Sequence, residues 1–196
     1  MQSIHLMIDS TGLKIHVGSA RMPPKRRAWR KLHIAVDRKT GNIVASELTA
    51  SQARDASRVL PLLKQIESPL ASASADGAYD KRSVYEALEA HSVGQKARVI
   101  IAPQRNATPS HKENAAMQDR NRHIQAIERH GRREWSKRSG FTKRSMVENA
   151  VYRYKAIIGR EMRSRTLAGQ RVEQRIGCEI LNKMTALGMP DTHCVG

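Results

Sequence analysis

Three acidic residues lie at positions where a carboxylate could bind a cation rather than only interact with solvent. Asp9 lies in LMIDSTG, Asp76 follows the small-residue run ASASA, and Glu148 lies in the helical stretch RSMVENAVYRYK. An ionised carboxylate beside apolar neighbours in a sheet is costly unless it is paired or bound to a cation. Carboxylates held close together also repel each other, and a divalent cation relieves that repulsion. The pattern therefore makes these three acids candidate ligands of a shared metal ion.

Each acid also has a simpler interpretation. An Asp before Ser-Thr-Gly is often a turn or capping residue, Asp76-Gly77 by itself is often a turn, and Glu148 by itself is often a solvated helix residue. Asp80 is the rival for the second position, and we interpret it as the cap of the helix that begins just after it. Residue types alone leave these alternatives open.

The helix that carries Glu148 presents further polar groups. Spacings of four and three residues place four side chains on one face: Arg144, Glu148, Tyr152 and Lys155. This face lies about a quarter turn from the apolar positions Val147 and Val151. The face is either a set of ordinary surface ion pairs, each of which stabilises little, or a metal ligand flanked by contacts to phosphate.

The composition points to a polyanionic partner. The 196 residues suit one domain with a full core, and we treat 1–196 as that domain. Lys and Arg number 35 against 18 acids, a formal net charge of +17, which favours nucleic acid over a small-molecule substrate. The sequence has no apolar run of membrane-spanning length and no signal-peptide pattern, and its two cysteines lack metal-ligand spacing. We expect a cytoplasmic protein that binds nucleic acid and no membrane.

Hydrophobic periodicity predicts the elements that must position the acids. Strands are expected at 4–17, 31–37, 43–49, 71–75 and 98–102, and helices at 53–66, 81–91, 145–163 and 168–187. The apolar stripe of the first C-terminal helix is Val147, Val151, Tyr154, Ile158 and Met162; that of the second is Val172, Ile176, Ile180, Met184 and Leu187. The order βββαβαβ, then a basic insertion and two helices, predicts an α/β fold with a mixed five-stranded sheet of ribonuclease H-like order. If the fourth strand lies parallel to the first, Asp9 and Asp76 come close together.

Two basic stretches are candidate DNA surfaces. The segment 25–31 (KRRAWRK) offers the cations Arg26, Arg27, Arg30 and Lys31 around Trp29. Trp29 either stacks on a base or anchors the hairpin by packing. The insertion at about 104–143, which contains Trp135, is expected to be mostly mobile basic surface that contacts the DNA backbone, with part of 111–129 helical.

Several stretches resemble a known family. IDSTGLKIH (8–16), KRRAWRKLHIAVD (25–37), SADGAYD (74–80), RSMVENAVYRYK (144–155) and LNKMTALGMP (181–190) resemble bacterial insertion-sequence transposases of family five. The resemblance implies that Asp9, Asp76 and Glu148 are the acidic triad of a DDE transposase. It implies two bound ions, Mg²⁺ or Mn²⁺, that serve strand cleavage and strand transfer. It also implies phosphate contacts from Arg144 and Lys155, and a homodimer on DNA.

The chain departs from the family pattern in two places. Phe141 stands where the family usually has a Tyr three residues before the Arg, so a hydroxyl contact is lost there. The chain also begins only eight residues before Asp9, where relatives usually carry a longer helical region. We therefore expect the usual DNA-binding region to be missing, through frameshifting, truncation or a trimmed gene model. The alternative is a catalytically inactive remnant that binds DNA or inhibits the full-length enzyme.

Overall fold

A mixed β-sheet forms the centre of the fold. The structure, a computed structural model, describes residues 3–15, 29–92, 96–110 and 115–188. The strands are β1 (Ile4–Ile15), β2 (Trp29–Asp37), β3 (Ile43–Ala50), β4 (Leu70–Ala75), β5 (Arg98–Ile101) and the short β6 (Glu161–Met162). They lie in the order β3-β2-β1-β4-β5, and β6 pairs with the end of β1. β2 and β3 are antiparallel to their neighbours, whereas β4 and β5 are parallel, so the predicted mixed sheet of ribonuclease H-like order is confirmed.

Helices cover both faces of this sheet. They are α1 (Val59–Leu63), α2 (Arg82–His91), α3 (Ala115–Ser139), α4 (Ser145–Arg153) and α5 (Leu167–Ala186). Side chains alternate along a strand, so Leu6 and Ile8 face the core shared with α1 and α2, while Met7 and Leu13 face the core shared with α4 and α5. No helix within the described ranges is long and apolar enough to cross a membrane.

The helix expected at 145–163 is shorter than predicted. α4 ends at Arg153, a wider helical turn covers Tyr154–Ile158, and the chain then reverses at Gly159 to form β6. Gly159 has φ 130°, a conformation open to glycine but strained for other residues. The reversal allows Met162 to reach β1, so it joins the apolar core as expected but from a strand.

The apolar stripe predicted for α5 does not face the core. Its members are 40% to 87% exposed: Val172, Ile176, Ile180, Met184 and Leu187. The buried face instead consists of Gln170, Gln174, Gly177, Cys178 and Leu181. A Cβ on Gly177 would lie 2.9 Å from Ile158 Cγ2 and 3.0 Å from Tyr154, so this glycine permits the close approach.

The basic insertion is also more ordered than predicted. α3 runs from Ala115 to Ser139 with a bend at Gly131, whose φ is 76°. Trp135 is buried against Ile100 and Ala102, and its indole N–H donates to His123 Nδ1 at 3.0 Å. Trp135 therefore attaches α3 to the edge of the sheet rather than lying on an open surface.

Asp80 does not cap the start of α2, contrary to our interpretation. Lys81 occupies the position before α2. The Asp80 carboxylate is buried, binds Arg120 of α3 at 2.7 Å and accepts the Gln104 amide at 3.1 Å. It therefore holds the insertion against the loop that follows β4.

Candidate active site

The sheet brings the first two acids to the same level. β1 and β4 are parallel neighbours with Met7 opposite Ser74. Asp9 lies two residues after Met7, and Asp76 lies two residues after Ser74, just past the end of β4, so this register places the two acids side by side. Because both acids are an even number of residues from that pair, they point to the same face as Met7, which is the face that α4 covers.

Each aspartate has one oxygen fixed by the backbone. Asp9 Oδ1 accepts the amide of Ser10 at 2.8 Å, and Asp76 Oδ1 accepts the amide of Ala78 at 2.8 Å. The Oδ2 atoms turn toward a common cation. They lie 3.5 Å and 3.9 Å, respectively, from Nη1 of Arg144.

α4 supplies the third acid and the cation. Val147, fully buried in the core, fixes the helix on the sheet. Arg144 immediately precedes α4, and its Nη2 donates to Glu148 Oε1 at 2.9 Å, one helical turn later. The guanidinium carbon also lies 5.9 Å from the centre of the Phe141 ring. Three carboxylates from three separate elements therefore meet around one guanidinium.

The electrostatics of the cluster follow from its partial burial. Burial raises the pKa of the Asp9 carboxyl, and the nearby carboxylates of Asp76 and Glu148 act in the same direction. The Arg144 charge and the Ser10 amide oppose this rise in pKa. Arg144 therefore partly offsets the rise in the Asp9 pKa that burial and the neighbouring carboxylates cause.

The donor set fits a hard divalent cation. Carboxylate oxygens are the ligands that Mg²⁺ and Mn²⁺ prefer, and the free Oδ2 atoms of both aspartates point to a place that already holds a positive charge. Nη1 of Arg144 is buried there and has no hydrogen-bond partner among the described residues. Within those residues, no three His, Cys, Asp or Glu side chains are close enough together to hold a metal ion directly. The acids are thus of the type that holds a divalent cation, but in this arrangement they surround the Arg144 guanidinium.

A buried polar group that the sequence analysis missed lies behind the triad. Tyr79 is almost fully buried three residues after Asp76, and burial together with the carboxylates of Asp55, Asp9 and Asp76 raises the pKa of its hydroxyl. The sequence signal that could have identified it is an aromatic residue with a hydroxyl group three residues after a candidate acid, in SADGAYD.

Asp55 extends this polar region to the middle of the sheet. Asp55 Oδ1 lies 3.4 Å from Nδ1 of His33, and Nε2 of His33 is 2.9 Å from the Thr49 hydroxyl. His33 is fully buried, and burial lowers its pKa to about 4. The alternating pattern of β2 gave no indication of this histidine's role, because its partners come from β3 and from the turn before α1.

The candidate DNA-contacting residues are only partly brought to this site. Trp29 is 41% exposed at the start of β2 and lies 6.0 Å from Lys14 Nζ. Arg30 donates to Gln170 of α5 at 2.8 Å, and Lys31 pairs with Asp55 at 3.2 Å. Lys155 lies half-buried in the wide turn after α4.

Two candidate DNA-contacting residues remain. Arg26 and Arg27 are outside the described residues. The DNA contacts assigned to the segment 25–31 therefore stay predictions.

Two comparisons place the chain among known proteins. A family profile described as "Transposase DDE domain" matches residues 1–181, which include all three acids. A solved structure, "Cryo-EM structure of piggyBac transposase synaptic complex with hairpin DNA", is similar at 9% identity and a TM-score of 0.47. The similarity covers 94% of this chain and 47% of that one, so this chain spans about half the length of that transposase. Because the profile extends over nearly the whole sequence, from β1 to the second half of α5, the chain belongs to the family of transposase DDE domains.

Proposed function

We propose that this chain is the catalytic domain of a transposase that cleaves DNA strands at the ends of an insertion sequence and joins them to target DNA. One observation carries the proposal: Asp9, Asp76 and Glu148 come from three elements and meet around a single cation. A protein that only binds DNA gains nothing from converging carboxylates, because they repel the phosphate backbone.

In this proposal the three acids hold Mg²⁺ or Mn²⁺. Two such ions, when bound, would activate a water or a 3′-hydroxyl for attack and stabilise the leaving oxygen. The amides of Ser10 and Ala78 hold the Oδ1 atoms of the aspartates, so the Oδ2 atoms remain available as ligands. Glu148 is 58% exposed, which leaves one side of the cluster accessible to a DNA phosphate.

The surrounding charge suits a DNA substrate. The chain carries a formal net charge of +17, which attracts the phosphate backbone without reading sequence. We assign phosphate contacts beside the triad to Arg144 and Lys155, and base stacking to Trp29. We also expect the chain to act as a homodimer on DNA, since joining two element ends requires both to be held together.

The test is a calorimetric titration of Mn²⁺ into the purified chain. Asp76→Asn and Glu148→Gln each remove one ligand charge from a different element, and Glu89→Gln removes an exposed charge from α2 as a matched control. We expect Mn²⁺ binding in the parent and in the control, and weaker binding in both ligand variants. Circular dichroism should show that all four proteins are folded.

Strand chemistry is measured beside binding. Supercoiled plasmid should be nicked by the parent in Mn²⁺, and both ligand variants should fall to background. The contradicting result is a folded chain that binds DNA but does not nick plasmid and does not bind Mn²⁺, whether or not DNA is present. That result would favour the inactive remnant.

A further inference from the structure

We propose that Arg144 is a built-in counter-ion of the triad, which must leave the carboxylates before a metal ion can bind and which then becomes available to a DNA phosphate. This inference rests on the proposed function, because it presupposes that the triad binds a divalent cation. It explains how three neighbouring carboxylates can stay close together when no metal ion is bound.

The position of the guanidinium is the first support. Its two terminal nitrogens lie 2.9 Å, 3.5 Å and 3.9 Å from oxygens of Glu148, Asp9 and Asp76. These are the same oxygens that point to the centre of the cluster, since the other oxygen of each aspartate is held by a backbone amide. The guanidinium lies within 4 Å of all three carboxylates, so a metal ion shared by them would have to sit beside it, and the two cations would repel each other.

The imperfect satisfaction of Arg144 is the second support. Nη2 makes a hydrogen bond to Glu148, whereas Nη1 is buried without a hydrogen-bond partner in the described part of the chain. Its separations from Asp9 and Asp76 exceed normal hydrogen-bond length, so charge alone holds it there. A group held by charge is displaced by a stronger charge that forms shorter contacts, and Mg²⁺ binds oxygen at about 2.1 Å.

The charge of the cluster gives the exchange its direction. Three carboxylates and one guanidinium carry a formal charge of −2, so a divalent cation is attracted even while Arg144 is present. Once the metal is bound, the guanidinium faces a positive ion and is repelled. A phosphate is the partner that it then prefers, since arginine binds phosphate through paired hydrogen bonds.

Competition for the triad predicts the sign of a measurable effect. Removing the Arg144 charge should strengthen metal binding, whereas an arginine that only supports the fold or positions the acids should weaken it when removed. Arg144→Gln should bind Mn²⁺ more tightly than the parent by about tenfold, within the usual range of a coupling between two binding events. Lys143→Gln is the matched control, because Lys143 is the exposed neighbouring cation and its removal changes the net charge equally.

A second measurement follows the released guanidinium. With Mn²⁺ bound, the parent should hold a short DNA duplex more tightly than it does without metal, and this gain should be smaller in Arg144→Gln than in Lys143→Gln. Arg144→Lys retains a cation and should restore part of the competition. Thermal unfolding in metal-free buffer shows which variants are folded, and Mn²⁺ and DNA affinities are compared only among the folded proteins.

The outcomes separate this inference from the function on which it rests. Tighter Mn²⁺ binding by Arg144→Gln, with Lys143→Gln unchanged, supports the counter-ion role. Equal or weaker binding by Arg144→Gln, with binding still lost in Asp76→Asn, overturns the counter-ion role but leaves the metal site intact. Binding that appears only in Arg144→Gln supports complete blocking by the arginine, and binding in none of the proteins overturns both proposals.

Discussion

Arg120 of α3 binds the buried carboxylate of Asp80 through two hydrogen bonds, from Nε to Oδ1 at 2.7 Å and from Nη2 to Oδ2 at 3.3 Å. The Asp80 side chain is only 1% exposed. This pair joins the helix of the basic insertion to the loop that follows β4, four residues beyond Asp76. The insertion is therefore part of the support of the candidate active site.

We expect Arg120→Ala to lower the free energy of unfolding by about 3–5 kcal/mol, because it leaves a buried carboxylate without its counter-ion. Arg122→Ala is the control: Arg122 is 63% exposed, pairs with Asp119, and should cost at most about 1 kcal/mol. Urea denaturation of the two variants measures the difference. Equal losses would mean that the buried pair does not hold the insertion in place.

Stability should fall in mild acid because of His33. Its pKa is lowered from 6.5 to about 4 in the folded protein, so between these values the unfolded chain binds the proton and the folded chain does not. Unfolding is then favoured as the pH falls, and the loss from this residue reaches about 3 kcal/mol below the lower value. The loss from His33 becomes negligible about one pH unit above 6.5, where the unfolded chain also leaves this histidine neutral.

The measurement is urea denaturation at several pH values on either side of 6.5 and down to 4. In His33→Gln, which carries no titrating group, the dependence over this interval should be flatter than in the parent. A variant with the same pH dependence as the parent would assign the acid sensitivity to other groups.

Two residues on opposite faces of α5 test which face is buried. Ile176 belongs to the exposed apolar stripe, whereas Leu181 is buried against the sheet. Ile176→Ala should change the free energy of unfolding by at most about 0.5 kcal/mol. Leu181→Ala should lower it by about 2–5 kcal/mol. If the larger loss came from Ile176, the periodicity of the sequence would have identified the buried face correctly.

Trp29→Ala should distinguish stacking from anchoring. If the exposed indole stacks on DNA bases, the variant should bind a single-stranded oligonucleotide more weakly by about 1–3 kcal/mol. We expect that result, measured by fluorescence anisotropy without metal, and a smaller effect in Trp29→Phe. Leu60→Ala, which removes another exposed apolar side chain, is the control. Unchanged DNA affinity with lower stability would identify Trp29 as an anchor of the hairpin, which its position against Gly12 permits.

Local patterns were enough to locate the strands and most of the helices. The strands predicted at 31–37 and 43–49 are β2 and β3, because an alternating hydrophobic pattern is encoded by neighbouring residues. The same strand patterns placed the two aspartates: Asp9 lies within β1, and Asp76 directly follows β4.

Patterns within one element were less informative wherever the partner was distant. The apolar stripe of α5 was the wrong face, because Gly177 fits against Tyr154 and because Gln170 finds hydrogen-bond partners in Arg30 and Ser164. Neither reason is visible within α5. The basic composition of α3 likewise concealed that Trp135 packs against Ile100 of β5 and that Arg120 binds the buried Asp80 in the loop after β4.

The sequence by itself determined the order of the elements, the basic surface charge and the three candidate acids, since these depend on residue type and short spacing. Only the tertiary structure decided that Arg144 lies among the three carboxylates. That arrangement depends on a parallel register between β1 and β4 and on the docking of α4 across β1, which bring together residues 9, 76 and 144. Long-range packing sets these distances, and no spacing along the chain encodes them.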